Sequence, residues 1–279
     1  MEQLFITQAA RIVRINFGQG MDADDQLAVE EPLQIELIYG PEANKQRKNI
    51  TVTMRTPGHD PELAIGFLFT EGIITNKDEV LRVEQVNADG NTISVTVKEN
   101  IDPGLKKLER NFFTNSSCGV CGKSGIDSIR TVSAFAEKTG DIFLRADLFY
   151  TIYEKLRAEQ TMFDSTGGLH ASALFDQQGS FLLVREDVGR HNALDKAIGA
   201  CLLNDQLPLD DNILLLSGRA SFELMQKANM AGIKIVTAVG APSSLAVDLA
   251  RECNITLIGF LRNERFNIYT GKDRIIFNS

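Results

Sequence analysis

Apolar positions first recur with a period of two. The stretches "LQIELIYG" and "KNITVTMRT" are β-rich, the second setting Ile50, Val52 and Met54 against polar neighbours, as half-buried strands do. The period then lengthens in "DPELAIGFLFTEGII", which predicts a helix with Asp60 as N-cap and Pro61 at the first helical position. "VLRVEQV", the turn "NADGN" and "TISVTV" predict a hairpin. The polar, Pro-Gly-bearing "ENIDPGLKKLERNFFTNSS" places a domain boundary near residue 110. Residues 1–110 therefore read as a smaller, mixed α+β domain.

Beyond that boundary, "GIDSIRTVSAFAE" has helical spacing at Ile126, Ile129 and Val132, and a longer helix is expected from Ala146 with Leu148, Ile152 and Leu156 on one stripe. "HASALF" and "SFLLVRED" flank the turn "DQQG" as a second hairpin. "RHNALDKAIGACLL" reads as amphipathic, with Leu194, Ile198 and Cys201 on its apolar face. In the last third, the short apolar runs "NILLLSG", "IKIVTAVG" and "ITLIGFLR" alternate with the helical patterns "RASFELMQKANMAG" and "APSSLAVDLAREC". That alternation predicts parallel strands joined by right-handed crossovers and buried on both faces. The fold class is α/β over 111–279.

Composition narrows the function classes. At 279 residues the chain can bury one large core or two modest ones, and two is the reading adopted. It is 43% hydrophobic and 24% charged, and its formal net charge of -8 argues against a general nucleic-acid binder. The N-terminal stretch has no apolar core or small-residue cleavage site of a secretory signal, and no apolar run is long enough to cross a bilayer. Four cysteines are too few for a disulfide framework, so the expected setting is the reducing cytoplasm.

In a parallel α/β sheet, ligands bind beyond the carboxyl ends of the strands. Those ends read Ser217-Gly218-Arg219, Gly240-Ala241-Pro242-Ser243-Ser244, and Phe260-Leu261-Arg262-Asn263 followed by Glu264 and Arg265. Two of the three open helices, whose free N–H groups suit anions. Ser243 and Ser244 add hydroxyls, and Arg219, Arg262 and Arg265 add forked cationic donors. Taken singly, each loop also reads as a tight turn with capping serines and solvated arginines. No Walker A pattern and no G-x-G-x-x-G follows a strand, which argues against an ordinary ATPase or a nicotinamide dehydrogenase.

The segment "NSSCGVCGKSGIDSIR" sets Cys118 and Cys121 two residues apart among glycines and serines. Such a pair serves as a metal half-site, a dithiol switch or a thiol that carries a group. A structural zinc site needs four ligands, and the remaining candidates are Cys201, Cys253, His59, His170 and His191. A following helix start and Lys123 would favour thiolate over thiol, and a thiolate can attack a donor persulfide and pass on its outer sulfur.

"SSCGVCG", "GFLFTEGII", "GGLHASALF", "REDVGRHNALDKAIG", "LLLSGRASFELMQKA" and "GAPSSLAVDLA...TLIGFLRNERFNIYTG", in this order from about residue 55 to about residue 272, resemble the FdhD family, the formate dehydrogenase accessory sulfurtransferases. The resemblance implies a cytoplasmic, homodimeric sulfur carrier that accepts sulfur from a cysteine desulfurase. The acceptor is the bis-molybdopterin guanine dinucleotide form of the molybdenum cofactor, sulfurated before its insertion into formate dehydrogenase. It implies a persulfide on Cys118, with Cys121 as the second cysteine, and a guanine dinucleotide site on the loop Phe260–Arg265. It also implies a cytidine deaminase-like C-terminal part and no stably bound catalytic metal. Deamination itself is not expected, because Ser172 stands where a proton-shuttling Glu would and Ser117 where a Pro precedes the cysteine pair.

Arg185, Glu186, Asp187, Arg190, His191 and Asp195 crowd around one glycine. Either Arg190 and His191 line a sulfur-transfer cavity, or Asp187 caps a helix and the others form surface ion pairs. His170 reads as a hydrogen-bonded structural residue, His59 as a helix-entry residue, and Phe67 and Phe69 as core.

Overall fold

The computed structural model describes residues 6–101, 133, 135, 142–159 and 166–277. It opens with an antiparallel ribbon, β1 (Thr7–Asn16) and β2 (Gln19–Ala28), which turns at Phe17 (φ 49°) and Gly18 (φ 83°). Left-handed backbone at both central residues is the turn that matches strand twist. Arg11 and Arg14 lie opposite Asp24 and Met21, and Val13, Ile15 and Phe17 stand exposed.

A four-stranded sheet follows, built of β3 (Glu31–Tyr39), β4 (Gln46–Arg55), β5 (Val80–Gln85) and β6 (Thr92–Val97) in the order β4-β3-β6-β5. The strands and the β5–β6 hairpin fall where the alternation placed them. The face expected of β4 is only partly realised. The register shifts at Ile35/Glu36, Ile50 is the extra residue there and is buried, while Val52 and Met54 remain 54% and 45% exposed.

Helix α1 (Asp60–Thr70) carries Pro61 in its first turn, but its N-cap is His59 in left-handed backbone (φ 58°), one residue before the Asp60 cap that the sequence suggested. Asp60 is held elsewhere. The buried guanidinium of Arg55 donates to both of its carboxylate oxygens at 3.0 Å, a forked geometry that removes Asp60 from capping.

The second half comprises β7 (Leu144–Arg145), α2 (Leu148–Glu159), β8 (His170–Phe175), β9 (Phe181–Asp187), α3 (Arg190–Leu203), β10 (Ile213–Leu216), α4 (Phe222–Met230), β11 (Ile235–Ala238), α5 (Ser244–Glu252), β12 (Thr256–Gly259), β13 (Asn267–Thr270) and β14 (Ile275–Ile276). Six strands form one sheet in the order β13-β12-β11-β10-β8-β9. β10, β11 and β12 are parallel as predicted, and β8, β9 and β13 join antiparallel at the flanks. The buried stripe of α2 is Phe149, Ile152 and Leu156, with Leu148 half-covered. Together these elements make a mixed α/β fold.

The amphipathic reading of α3 is corrected. Residues Asn192 to Leu202 are all buried, because α3 lies between the six-stranded sheet and α1, which itself covers the four-stranded sheet. The two helices cross in backbone contact. A Cβ on Gly66 would lie 1.9 Å from the Asp195 carbonyl oxygen, and one on Gly199 would lie 1.9 Å from that of Glu62. One apolar cluster therefore runs from Leu33, Ile35 and Val95 through Leu63 and Ile198 to Leu214 and Val236. The boundary at 110/111 lies outside the described residues.

Polar groups at this crossing are buried and matched. Lys196, 1% exposed, pairs with Asp187 at 2.7 Å and donates to the Thr56 carbonyl at 2.8 Å. Lys227 bonds Asp195 at 2.9 Å and Thr70 at 2.8 Å, with the Phe67 ring 5.4 Å below it. Burial works to lower the Lys227 pKa, but Asp195 and Glu71 outweigh it and raise the value, so the ammonium stays charged. Arg185 donates to Glu62 at 2.8 Å. Burial alone would raise the Glu62 carboxyl, yet Arg185 and His59 hold it at about 2.

Candidate functional site

The carboxyl ends of β10, β11 and β12 share one edge of the six-stranded sheet. Because β8 runs antiparallel to β10, its first residue, His170, comes to the same edge, and so does Asn267 at the start of β13. The sequence-predicted loops are stitched together there by backbone bonds: Gly240 N–H to Gly218 O at 2.9 Å, Ser243 N–H to Ala220 O at 3.0 Å and Phe260 N–H to Gly240 O at 3.1 Å. A Cβ on Gly240 would lie 3.0 Å from the Arg219 backbone, so a side chain there would push the two loops apart by a few tenths of an ångström.

Several of the predicted ligand groups are engaged within the loops. Ser217 Oγ accepts from Ala171 N–H at 2.8 Å, bridging the place where β8 and β10 part. Ser243 Oγ caps α5 by accepting from Ala246 N–H at 3.3 Å. Arg262 donates to the carbonyls of Val239 at 2.6 Å and Leu261 at 2.8 Å, and buried Leu261 anchors the loop. Arg219, Ser244, Asn263, Glu264 and Arg265 are exposed.

Two hollows open on this edge. One of about 240 Å³ is lined by Phe260, Arg265 and Asn267. Phe260 is in left-handed backbone (φ 56°) and 42% exposed, an unfavourable conformation for an aromatic residue that keeps its ring at the surface beside a guanidinium. The other, about 310 Å³, lies between α2, through Tyr153 and Arg157, and the strand ends at His170, Ser217 and Val239. The His170 ring lies over Gly218, where a Cβ would be 3.2 Å from Nδ1.

The crowded segment from Arg185 to Asp195 divides between two roles. Asp187, fully buried, accepts from Gly189 N–H, Asn192 and Thr56 N–H as well as from Lys196. The helix cap is Gly189, so the surface-pair and Asp187-cap readings are both corrected for these groups. Arg190 and His191 instead occupy the first turn of α3 at the edge. His191 Nε2 stands 3.5 Å from Ser221 Oγ and 3.9 Å from Glu223. Burial lowers the pKa of His170, as do Arg190 and His191, while Asp187 opposes them. Burial would raise the Glu223 carboxyl, but His191, backbone bonds and Ser221 hold it at about 2.

Cys201 sits inside the core. Burial pushes its thiol up to about 11, so it is not a nucleophile at neutral pH. Cys118 and Cys121 lie outside the described residues, as do Ser117, Lys123 and the helical pattern that follows. Among the described residues, no three His, Cys, Asp or Glu side chains cluster closely enough to hold a metal ion, and no helix is long and apolar enough to cross a membrane.

Comparison with known proteins gives one consistent result. The chain is similar over 97% of its length to "Sulfur carrier protein FdhD" of Mycolicibacterium paratuberculosis, at 47% identity over 99% of that protein. The protein of the same name from Saccharolobus solfataricus is 39% identical, covering 95% of this chain and 96% of its own. The fold matches the crystal structure of a protein from Desulfotalea psychrophila described as a candidate formate dehydrogenase accessory protein, with a TM-score of 0.73, 23% identity and coverage of 97% of this chain and 100% of that one. The model of the FdhD/NarQ family matches residues 28–276, and the chain belongs to that family.

Proposed function

We propose that this protein is a sulfurtransferase that carries sulfur for the maturation of formate dehydrogenase. Relatives bearing the name sulfur carrier protein support the carrier role, at up to 47% identity over nearly the whole chain. In this reading the thiolate of Cys118 attacks the outer sulfur of a cysteine desulfurase persulfide. The donor's S–S bond breaks, its thiolate leaves, and a persulfide forms on Cys118. An electron pair of the reduced cargo then attacks that outer sulfur, a sulfur–cargo bond forms as the S–S bond breaks, and Cys118 leaves as thiolate. Cys121 assists that hand-off. The cargo is the bis-molybdopterin guanine dinucleotide molybdenum cofactor, bound as substrate.

The observation that carries the cargo half of the reading is the hollow at Phe260, Arg265 and Asn267. An exposed aromatic face beside a forked cation suits a purine base and its phosphates. The exposed Arg219 and Ser244 lie along the same edge. The order of the six-stranded sheet is consistent with a cytidine deaminase-like C-terminal half. Cytoplasmic residence and a homodimer belong to the same proposal.

Mass spectrometry after incubation with cysteine desulfurase and cysteine tests it. Wild type is expected to gain the mass of about one sulfur atom on Cys118, and Cys118→Ala to fold normally, gain nothing there and fail to mature formate dehydrogenase. A Cys118→Ala variant that still matures the enzyme overturns the proposal, as does zinc bound stoichiometrically at the cysteine pair.

A further inference from the structure

At the other end of the ligand edge, three strand spacings from β12 and so about 14 Å away, is a group of side chains to which the proposed reading gives no role. His170 pairs in register with Asp187 across β8 and β9, and the chain then turns through Val188 and Gly189 into α3. That turn sets Arg190 and His191 beside His170. His191 meets Ser221, the N-cap of α4. The cationic and hydrogen-bonding groups of β8 and α3 therefore converge beside the N-terminal turns of two helices.

The polar groups beneath them are incompletely satisfied. Alternate positions of β8 face opposite ways. Leu174 belongs to the cluster that includes Leu194 and Ile198 of α3, whereas Ala171, Ala173 and Phe175 belong to the cluster with Phe149 and Ile152 of α2. His170 and Ser172 thus share the face that looks towards α3. Ser172 is 1% exposed and, among the described residues, its Oγ has no hydrogen-bond partner, nor has the buried Nε of Arg190. A hydroxyl at the start of a strand and a guanidinium N–H at the start of a helix are each left open in the interior, and each can donate to a ligand oxygen. The nearest carboxylates do not oppose an anion strongly. Asp187 is neutralised by Lys196 at 2.7 Å, and Glu223 faces His191.

We infer that His170, Arg190 and His191, with Ser172 beneath them, bind a tetrahedral oxyanion; that this anion belongs to the same cargo rests on the function proposed above. Two sources present the same chemistry, a phosphoryl group and an oxo-metal anion, and both accept hydrogen bonds from imidazole, guanidinium and hydroxyl donors. The 310 Å³ cleft lies on the α2 side of the same edge and shares His170 with this site. Proton uptake accompanies binding. The imidazole of His170, held neutral by burial and by Arg190 and His191, regains its proton when an anion arrives. Affinity therefore falls as pH rises.

Calorimetric titration of the full chain with inorganic phosphate and, separately, with molybdate tests this. Wild type is expected to bind at least one of the two, more tightly at pH 6 than at pH 8, and the tighter of the two identifies the source. Arg190→Gln and His170→Asn should each weaken that binding roughly tenfold and flatten its pH dependence, with binding of guanosine diphosphate unchanged. Ser172→Ala separates binding from folding: removing an unpartnered buried hydroxyl leaves the melting temperature level or higher, while anion affinity falls severalfold. Equal anion affinity in wild type and all three variants, or no binding of either anion by wild type, overturns the inference. Loss of guanosine diphosphate binding by wild type with the anion results intact would overturn the cargo reading alone.

Discussion

The crossing of α1 and α3 and the carboxyl edge of the six-stranded sheet are both rich in glycine and charge, and they use them in opposite ways. At the crossing, Gly66 and Gly199 bring two backbones into contact, and Lys196, Asp187, Lys227 and Asp195 are buried with partners at 2.7 to 2.9 Å. At the edge, Gly240 lets two loops approach and Gly218 lies under the His170 ring, hollows remain, and among the described residues Ser172 Oγ and Arg190 Nε have no hydrogen-bond partner. Matched polar groups specify one packing. Unmatched ones cost stability and are retained where a ligand completes them. Stability and ligand chemistry are thus assigned to different parts of one continuous core.

The largest expected effect comes from closing the crossing. In Gly199→Ala the new Cβ would have to occupy space 1.9 Å from the Glu62 carbonyl oxygen, and the contact is backbone on both sides, so neither helix can yield alone. A loss of more than about 4 kcal/mol is expected, comparable with the whole stability of a domain. Urea unfolding, or recovery of folded protein, measures it. A variant within about 1 kcal/mol of wild type would show that the helices separate easily and that the crossing does not hold the two sheets together.

A smaller effect follows from unpairing a charge there. Lys227→Met leaves Asp195 buried beside Thr70 without its cation and is expected to cost about 3–5 kcal/mol, whereas Lys227→Met combined with Asp195→Leu should recover most of that loss. Denaturation of the two single variants and the double variant gives the coupling. Simple addition of the two single losses would mean that the pair is not interacting.

How much of this contrast was legible in the sequence depends on how far apart the partners are. The hairpins β5–β6 and β8–β9 and the parallel run β10 to β12 were readable because period, turn residues and crossover lengths are local signals. The full burial of α3 was not, because Asn192, Asp195 and Lys196 are polar and their partners Met54, Thr70 and Thr56 lie more than 120 residues away. Asp60 read as a cap for a different reason: its partner Arg55 is only five residues away, but the forked pairing depends on how the end of β4 folds back onto α1. The ribbon β1–β2 escaped notice because arginines and apolar residues mix on both its faces, although Asn16-Phe17-Gly18 carried a turn signal. The strand-end rule picked out loops that share one edge, yet it could not tell that Ser217, Ser243 and Arg262 bond within those loops. Nor could it bring His170 to Arg190, which required the register of β8 on β9.

The smallest effect on stability is expected where the proposed effect on binding is large. Arg265 is exposed, contributes to the hollow with Phe260, and stands apart from both buried networks. Arg265→Gln should change unfolding free energy by no more than about 0.5 kcal/mol, while removing a forked donor to phosphate weakens guanosine diphosphate binding by roughly tenfold. Paired measurements of melting temperature and nucleotide affinity on this one variant place it on either side of the contrast. A large fall in stability would assign the Phe260 loop to the framework and explain its left-handed residue as strain held by packing. An unchanged melting temperature with lost affinity would show instead that the unfavourable backbone at Phe260 is maintained to present a ring and a guanidinium to the same ligand.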